Sequence, residues 1–191
     1  MSTANLQTLL NINAAAKNLQ KDYKGSLISL DRGSVLFQRK PMVSGNQVNL
    51  TKVVMDTFHS LASPPNFLWA DINTLMGFLV DAEAVFEVST SKPVGPIQEL
   101  SLLGRESMPE NSAPGKPIPD GAKRVAVLSV TFSEALFGTH DRLSGLTNLK
   151  KRLLEARGYS VLIVSQNEFG LLKQKLPKVK LLSAKLNALM K

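Results

Sequence analysis

Three groups of side chains in this 191-residue chain have the types and spacing to do chemistry. The first is Asp81 and Glu83, two apart in Met76-Gly-Phe-Leu-Val-Asp-Ala-Glu-Ala-Val-Phe86. In a strand that spacing sends both carboxylates to one side. There they could hold a divalent cation or exchange protons. No third ligand stands at useful spacing, and an exposed polar face fits the pattern better. The second group is histidine: His140 next to Asp141, and His59 on or near the apolar side of a helical stretch. Sequence neighbours rarely face one another and no nucleophile is placed for the first pair, while His59 reads as a packing histidine. No residue is assigned a catalytic or metal-ligating role, and no cofactor is expected.

The third group is cationic: Arg124, Arg142, Lys150, Lys151, Arg152 and Arg157. The formal charge of +8 is unevenly spread. Residues 1–122 hold 10 basic and 11 acidic side chains, for −1, whereas residues 123–191 hold 13 and 4, for +9. A basic segment of this kind expects a polyanion, whether RNA, DNA or an acidic membrane surface. The same charge would also serve as the solvated face of helices. Lys151 and Glu155, four apart on a helix, are expected to pair.

These cations ride on a stretch that reads as strand, long loop, helix, strand. Arg124-Val-Ala-Val-Leu-Ser-Val-Thr-Phe132 is β-branched and apolar. Leu146 to Arg157 has helical spacing, with Leu146, Leu149, Leu153 and Leu154 on one side. Gly158 supplies a left-handed stop, and Tyr159-Ser-Val-Leu-Ile-Val-Ser165 is a second β-branched run. Two such runs joined by a helix predict a βαβ crossover with parallel strands. Gln166 to Phe169 begins a short helix, and Pro177 suits the first turn of a last one whose seam is Val179, Leu182, Leu186 and Leu189.

Upstream, residues 4–23 predict a helix with Leu6, Leu9, Leu10, Leu19 and Tyr23 approximating one face. Residues 26–46 read as loop with one short strand, and Leu50 to Leu61 as a second helix broken at Ser63-Pro64-Pro65. Met76 to Phe86 reads as a strand, or two with a kink. Residues 102–122 are rich in proline, glycine, serine and asparagine and read as a linker. The expected division is therefore a helical and strand module at 1–101, a linker at 102–122 and a basic α/β domain at 123–191.

Composition excludes several classes. Without cysteine there are no disulfides and no thiolate metal sites. No apolar run approaches the ~18 residues of a membrane span. Gly115-Lys116 lacks the upstream glycine and following Ser or Thr of a phosphate-binding loop. Neither a kinase catalytic loop nor a DFG-type triplet is present. The first residues carry neither a secretory signal nor a convincing organelle presequence.

From Lys123 onward the order Arg-Val-Ala-Val-Leu128, a phenylalanine, a polar loop, Leu-Ser-Gly145, Lys-Lys-Arg-Leu-Leu154, Gly-Tyr159, Val-Leu-Ile-Val164 and Glu-Phe169 resembles the RAP domain. That domain closes the FAST-kinase-domain proteins of animal mitochondria. Met76 to Phe86 with Lys92-Pro93 is similar to the second FAST module of the same family, and the spacing is closest to the branch called transforming growth factor beta regulator four. The resemblance implies an α/β fold: an N-terminal α+β FAST module, then a restriction-endonuclease-like RAP domain with a βαβ core. It implies RNA binding in the mitochondrial matrix, in RNA processing and mRNA stability, with possible protein partners in RNA granules. Family members carry a presequence and helical repeats upstream, so this chain is expected to be a C-terminal part.

The departures from the family shape the expected chemistry. Nuclease-like relatives hold a metal with acidic residues of the first RAP strand; the matching positions here are Leu128 and Val130, which cannot. Glu134 and Glu168 do not restore a site. The family's usual tryptophan after Glu168 is Phe169, and the single tryptophan, Trp69, lies upstream. The expectation is a nuclease scaffold used as a non-catalytic RNA platform, gripping the backbone with Arg124, Arg142, Lys150, Lys151, Arg152 and Arg157. A metal-dependent endoribonuclease and a protein-interaction module are the alternatives; a kinase has no nucleotide-binding element to support it.

Overall fold

The structure is a computed structural model, and it describes residues 2–28, 41–106, 116–135 and 142–191. Four strands form one mixed sheet in the order β1-β2-β3-β4. These are β1 (Leu68–Asn73), β2 (Leu79–Glu87), β3 (Ala122–Val130) and β4 (Tyr159–Ser165). β1 pairs antiparallel with β2, and β2 antiparallel with β3. β3 pairs parallel with β4, from Arg124–Tyr159 to Val130–Ser165. The helix between them, α5 (Gly145–Glu155), makes the predicted crossover.

Upstream lie α1 (Thr3–Leu19), α2 (Gly45–Phe58), and the single turns α3 (Ile97–Leu100) and α4 (Leu103–Glu106). After β4 come α6 (Gln166–Phe169) and α7 (Lys175–Met190). Serine caps the starts that matter: Ser2, Ser44 and Ser144 accept N–H bonds from the first turns of α1, α2 and α5. Gly158 takes φ +83 after α5, as its position predicts. Among the described residues no helix is long and apolar enough to cross a membrane.

Helices cover both faces of the sheet, and strand alternation decides which residue meets which. On one face Val125, Val127, Leu162 and Val164 pack with Leu50, Val54 and Phe58 of α2 and Leu182, Leu186 and Met190 of α7. On the other, Ala126, Leu128 and Val161 pack with Ala14 of α1 and Leu153 and Leu154 of α5. Burial on both faces explains why β3 reads as an uninterrupted apolar run. Both cores draw on residues from before 101 and after 123, and the two central strands, β2 and β3, come from either side of that interval. The segments expected as two modules thus share one sheet and are packed together.

Several expectations are corrected. The stretch at 68–73, not predicted, is β1. Strand β2 begins at Leu79, because Thr74 to Phe78 form a turn closed by Thr74 N–H to Phe78 O. α1 ends at Leu19 and α2 starts at Gly45, five residues before the predicted Leu50. His59 is exposed at the end of α2, so it is no packing histidine. Residues 29–40, where a short strand was expected, and the His140–Asp141 pair lie outside the described residues.

The polar face expected for Asp81 and Glu83 is not exposed: the two are 7% and 0% accessible. Glu83 is the acceptor that ties the chain after α3 onto the sheet. It takes bonds from Ser101 Oγ (2.5 Å), Leu102 N–H (3.0 Å), Gly104 N–H (3.2 Å) and Tyr159 Oη (2.6 Å). Leu103 is buried beside them, so this part of the expected linker belongs to the core. Gly104 has to be glycine: a Cβ there would come within 2.3 Å of the Trp69 ring. Burial pushes the Tyr159 hydroxyl well above its ordinary range, and the neighbouring Glu83 charge adds to the rise.

Replacing Glu83 with Ala takes the acceptor from Ser101 Oγ, Leu102 N–H and Tyr159 Oη, while Gly104 N–H keeps its bond to Ser101 Oγ at 2.9 Å. The expected loss is about 3 kcal/mol or more in urea unfolding, partly recovered by Glu83→Gln. A loss under about 1 kcal/mol would mean that the carboxylate does not hold this region.

Candidate nucleic-acid interface

The β2–β3 ladder runs from Glu87–Ala122 to Ala82–Val127 and stops there. Two residues beyond Val127, β3 offers its polar groups to side chains instead. The Ser129 N–H is taken by Asp81 Oδ2, and the Ser129 carbonyl accepts from Gln47 Nε2 at 2.8 Å. Thr51 Oγ1 donates to Asp81 Oδ1 at 2.9 Å. Gln47 and Thr51 stand one turn apart on α2, which brings that helix over the end of the strand.

Around this divergence lies a cleft of about 760 Å³. Its walls come from α1, α2, the start of β2, the end of β3 and the start of α5. It opens beyond the carboxyl end of β3, where α/β sheets commonly receive ligands. The floor is polar, with Asp81, Ser129, Thr131 and Glu134, and the rim is apolar. Ile12, Met42, Val48 and Leu146 line it and are 61%, 73%, 53% and 54% exposed. Leu146, expected with Leu149 in the core seam of α5, therefore stands at the rim; only Leu153 and Leu154 of that seam are fully buried.

Glu134 shapes the far wall. Its Oε2 accepts from Thr131 N–H (3.1 Å) and Thr131 Oγ1 (3.2 Å), closing a tight turn after β3. Its Oε1 pairs with Lys150 Nζ at 3.2 Å. Burial holds the Asp81 carboxyl above its ordinary range. The bonds from Ser129 and Thr51 pull the other way, and the Glu134 charge adds to the rise. Among the described residues no group of three or more His, Asp or Glu side chains gathers where it could hold a metal ion.

The six cations expected to bind RNA divide between two ends of the sheet. Lys150 lines the cleft, and Arg142 is exposed just before α5. Arg152 is exposed on α5, while Lys151 pairs with Glu155 at 3.5 Å, as its spacing predicts. Arg124 lies at the opposite end of β3. Its guanidinium donates to the carbonyls of Leu100 (3.2 Å) and Lys116 (3.4 Å). Arg157 is half-buried near the same end; burial lowers its pKa, opposed by Tyr159 and Glu83.

Other lysines of the basic segment are also engaged. Lys185 of α7 pairs with Glu168 at 2.6 Å, and Lys178 lies 5.3 Å from the centre of the Phe169 ring. Lys52, absent from the expected set, is exposed on α2 and lines the cleft. Asn11, Gln47, Thr51 and Ser129 were also missed. The one signal available was Ser129, a polar residue in the middle of an apolar strand.

The buried Asp81 gives the site a pH signature. Because its folded pKa is raised, the folded chain keeps a proton in a window, starting near 3.8, where the unfolded chain has lost it. Stability then falls as pH rises through that window. Asp81→Asn has no such proton, so the variant is expected to gain on the parent as pH climbs from about 4. Denaturant titrations at stepped pH measure this. A parent–variant difference that stays constant, or moves the other way, contradicts it.

The family model described as FAST kinase-like protein, subdomain 2, matches residues 6–94. No curated protein matches the chain. The matched segment carries α1, α2, β1 and β2, and with them Asn11, Gln47, Thr51 and Asp81 of the cleft. Residues 6–94 are thus similar to subdomain 2 of FAST kinase-like proteins, which supports placing this chain with that family.

Proposed function

We propose that this chain is an RNA-binding protein of mitochondrial RNA processing and mRNA stability, and that its cleft and the start of α5 form the binding surface. The observation that carries the reading is a cleft with an apolar rim that Lys52 of α2 and Lys150 of α5 also line, with Lys150 paired to Glu134 and Asp71 and Asp81 in the same lining. Single-stranded RNA is held by cations on phosphates and by apolar and aromatic surfaces on bases. The family match supports the same reading, and so does the +9 balance of residues 123–191.

In this reading residues 123–191 are the RAP-like part, closest to the transforming growth factor beta regulator four branch. A mixed sheet flanked by helices on both faces supports an endonuclease-like scaffold. Arg142, Lys150 and Arg152 are the phosphate contacts from the expected set, joined by Lys52. Arg124 and Arg157 act chiefly at the other end of the sheet, beside Glu83 and Tyr159. Location in the mitochondrial matrix is part of the proposal.

Each phosphate neutralised on a single strand contributes about 0.7 to the slope of log affinity against log salt. Replacing Arg142, Lys150 and Arg152 together with Ala should flatten that slope by up to about 2. Fluorescence anisotropy with a labelled RNA at stepped salt measures it. An unchanged slope removes these residues from the interface. Running the same mixtures on a gel with magnesium or manganese separates the alternative, since cleavage would turn the reading to an endoribonuclease.

A further inference from the structure

Two side-chain amides lining the cleft are committed at one end and open at the other. Asn11 Nδ2 donates to the Gln7 carbonyl at 2.6 Å, and Gln47 Nε2 donates to the Ser129 carbonyl at 2.8 Å. Both acceptors are backbone oxygens, so neither amide can be turned over without losing its bond. That leaves Asn11 Oδ1 and Gln47 Oε1, each shielded from solvent and without a hydrogen-bond partner among the described residues. Asn11 as a whole is only 7% exposed. Shielded acceptors without donors are costly and uncommon in folded chains.

The remaining features narrow the chemistry of a ligand that would satisfy them. It must bring N–H or O–H donors to the two amide oxygens, while Ser129 Oγ, also shielded and without a partner among the described residues, can donate or accept. It must tolerate an apolar surround, since Ile12, Val48 and Leu146 form the walls above. The part that enters is uncharged, since Asp71, Asp81 and Glu134 line the cleft beside Lys52 and Lys150, and Lys150 is already paired with Glu134. A cleft of about 760 Å³ falls within the range that encloses a small organic group. A flat, neutral heteroaromatic ring with an amino group meets these conditions.

We propose that the cleft receives one nucleobase bearing an exocyclic amino group, turned out of a bound RNA strand, with Asn11 and Gln47 accepting its N–H bonds. This rests on the RNA-binding reading and adds base selectivity to it. Uracil, which lacks an exocyclic amino group, is disfavoured there. Selectivity then comes from within this chain, in addition to the backbone grip of the basic residues.

The test uses the full chain and labelled 12-residue strands of uridine, carrying at the centre one adenosine, cytidine, guanosine or uridine. At least one of the first three is expected to bind about tenfold tighter than all-uridine, the size of one buried acceptor left unpaired. Replacing that base by its analogue without the amino group (purine riboside, zebularine or inosine) should abolish the preference. The double variant Asn11→Leu, Gln47→Leu should abolish it too, with the salt slope unchanged. If that variant fails to melt cooperatively, Ile12→Trp at the exposed rim fills the mouth instead and should give the same loss. Equal affinity for all four strands overturns this inference alone, as does a preference that survives removal of the amino group. Failure of every strand to bind at low salt overturns the RNA reading and this inference together.

Discussion

The structure depends on one pairing between distant parts of the chain: β2 against β3. Those strands are the two central members of the sheet, and 34 residues separate Glu87 from its antiparallel partner region's start at Ala122. Without that ladder neither core closes, because each helix layer spans strands from both sides of it. Glu83 secures the arrangement from within β2. It accepts bonds from the segment that leaves the hairpin and from Tyr159 at the start of β4. A buried carboxylate is tolerable only when donors surround it, and here four do so.

The same pairing explains where the cleft is. A ladder that ran to the ends of both strands would have used the Ser129 backbone groups in the sheet. It stops at Ala82–Val127, and Asp81 and Gln47 take those groups instead. The space that opens is bounded by helices from both layers, so its polar floor and apolar rim come from five parts of the chain. A cleft of this kind exists only in the joined fold. The cations of α5 are placed at its edge by the crossover that also makes β4 parallel to β3.

What could be read from the sequence was local and periodic. β4 and α6 lie where alternation and helical spacing place them, and Gly158 stops α5 as a left-handed residue should. What could not be read was set by contacts across long separations. Asp81 and Glu83 alternate like an exposed face. Their burial follows from Thr51, Ser129, Ser101 and Tyr159, none of which a local window contains. β1 is a short edge strand following a proline pair, with little apolar alternation to announce it. Leu146 has core spacing yet sits at the rim, because α5 begins where the sheet has already opened. The cationic set was legible as charge, but which cations are tied to carboxylates or carbonyls was not.

Ultraviolet crosslinking of bound RNA to the intact chain, with the crosslinked peptides identified by mass spectrometry, tests the central claim most directly. If the joined fold forms the RNA site, crosslinks fall on both sides of residue 101: on α1 or α2, and on the turn after β3 or the start of α5. Crosslinks confined to α7, or to the Arg124 and Arg157 end of the sheet, would contradict it.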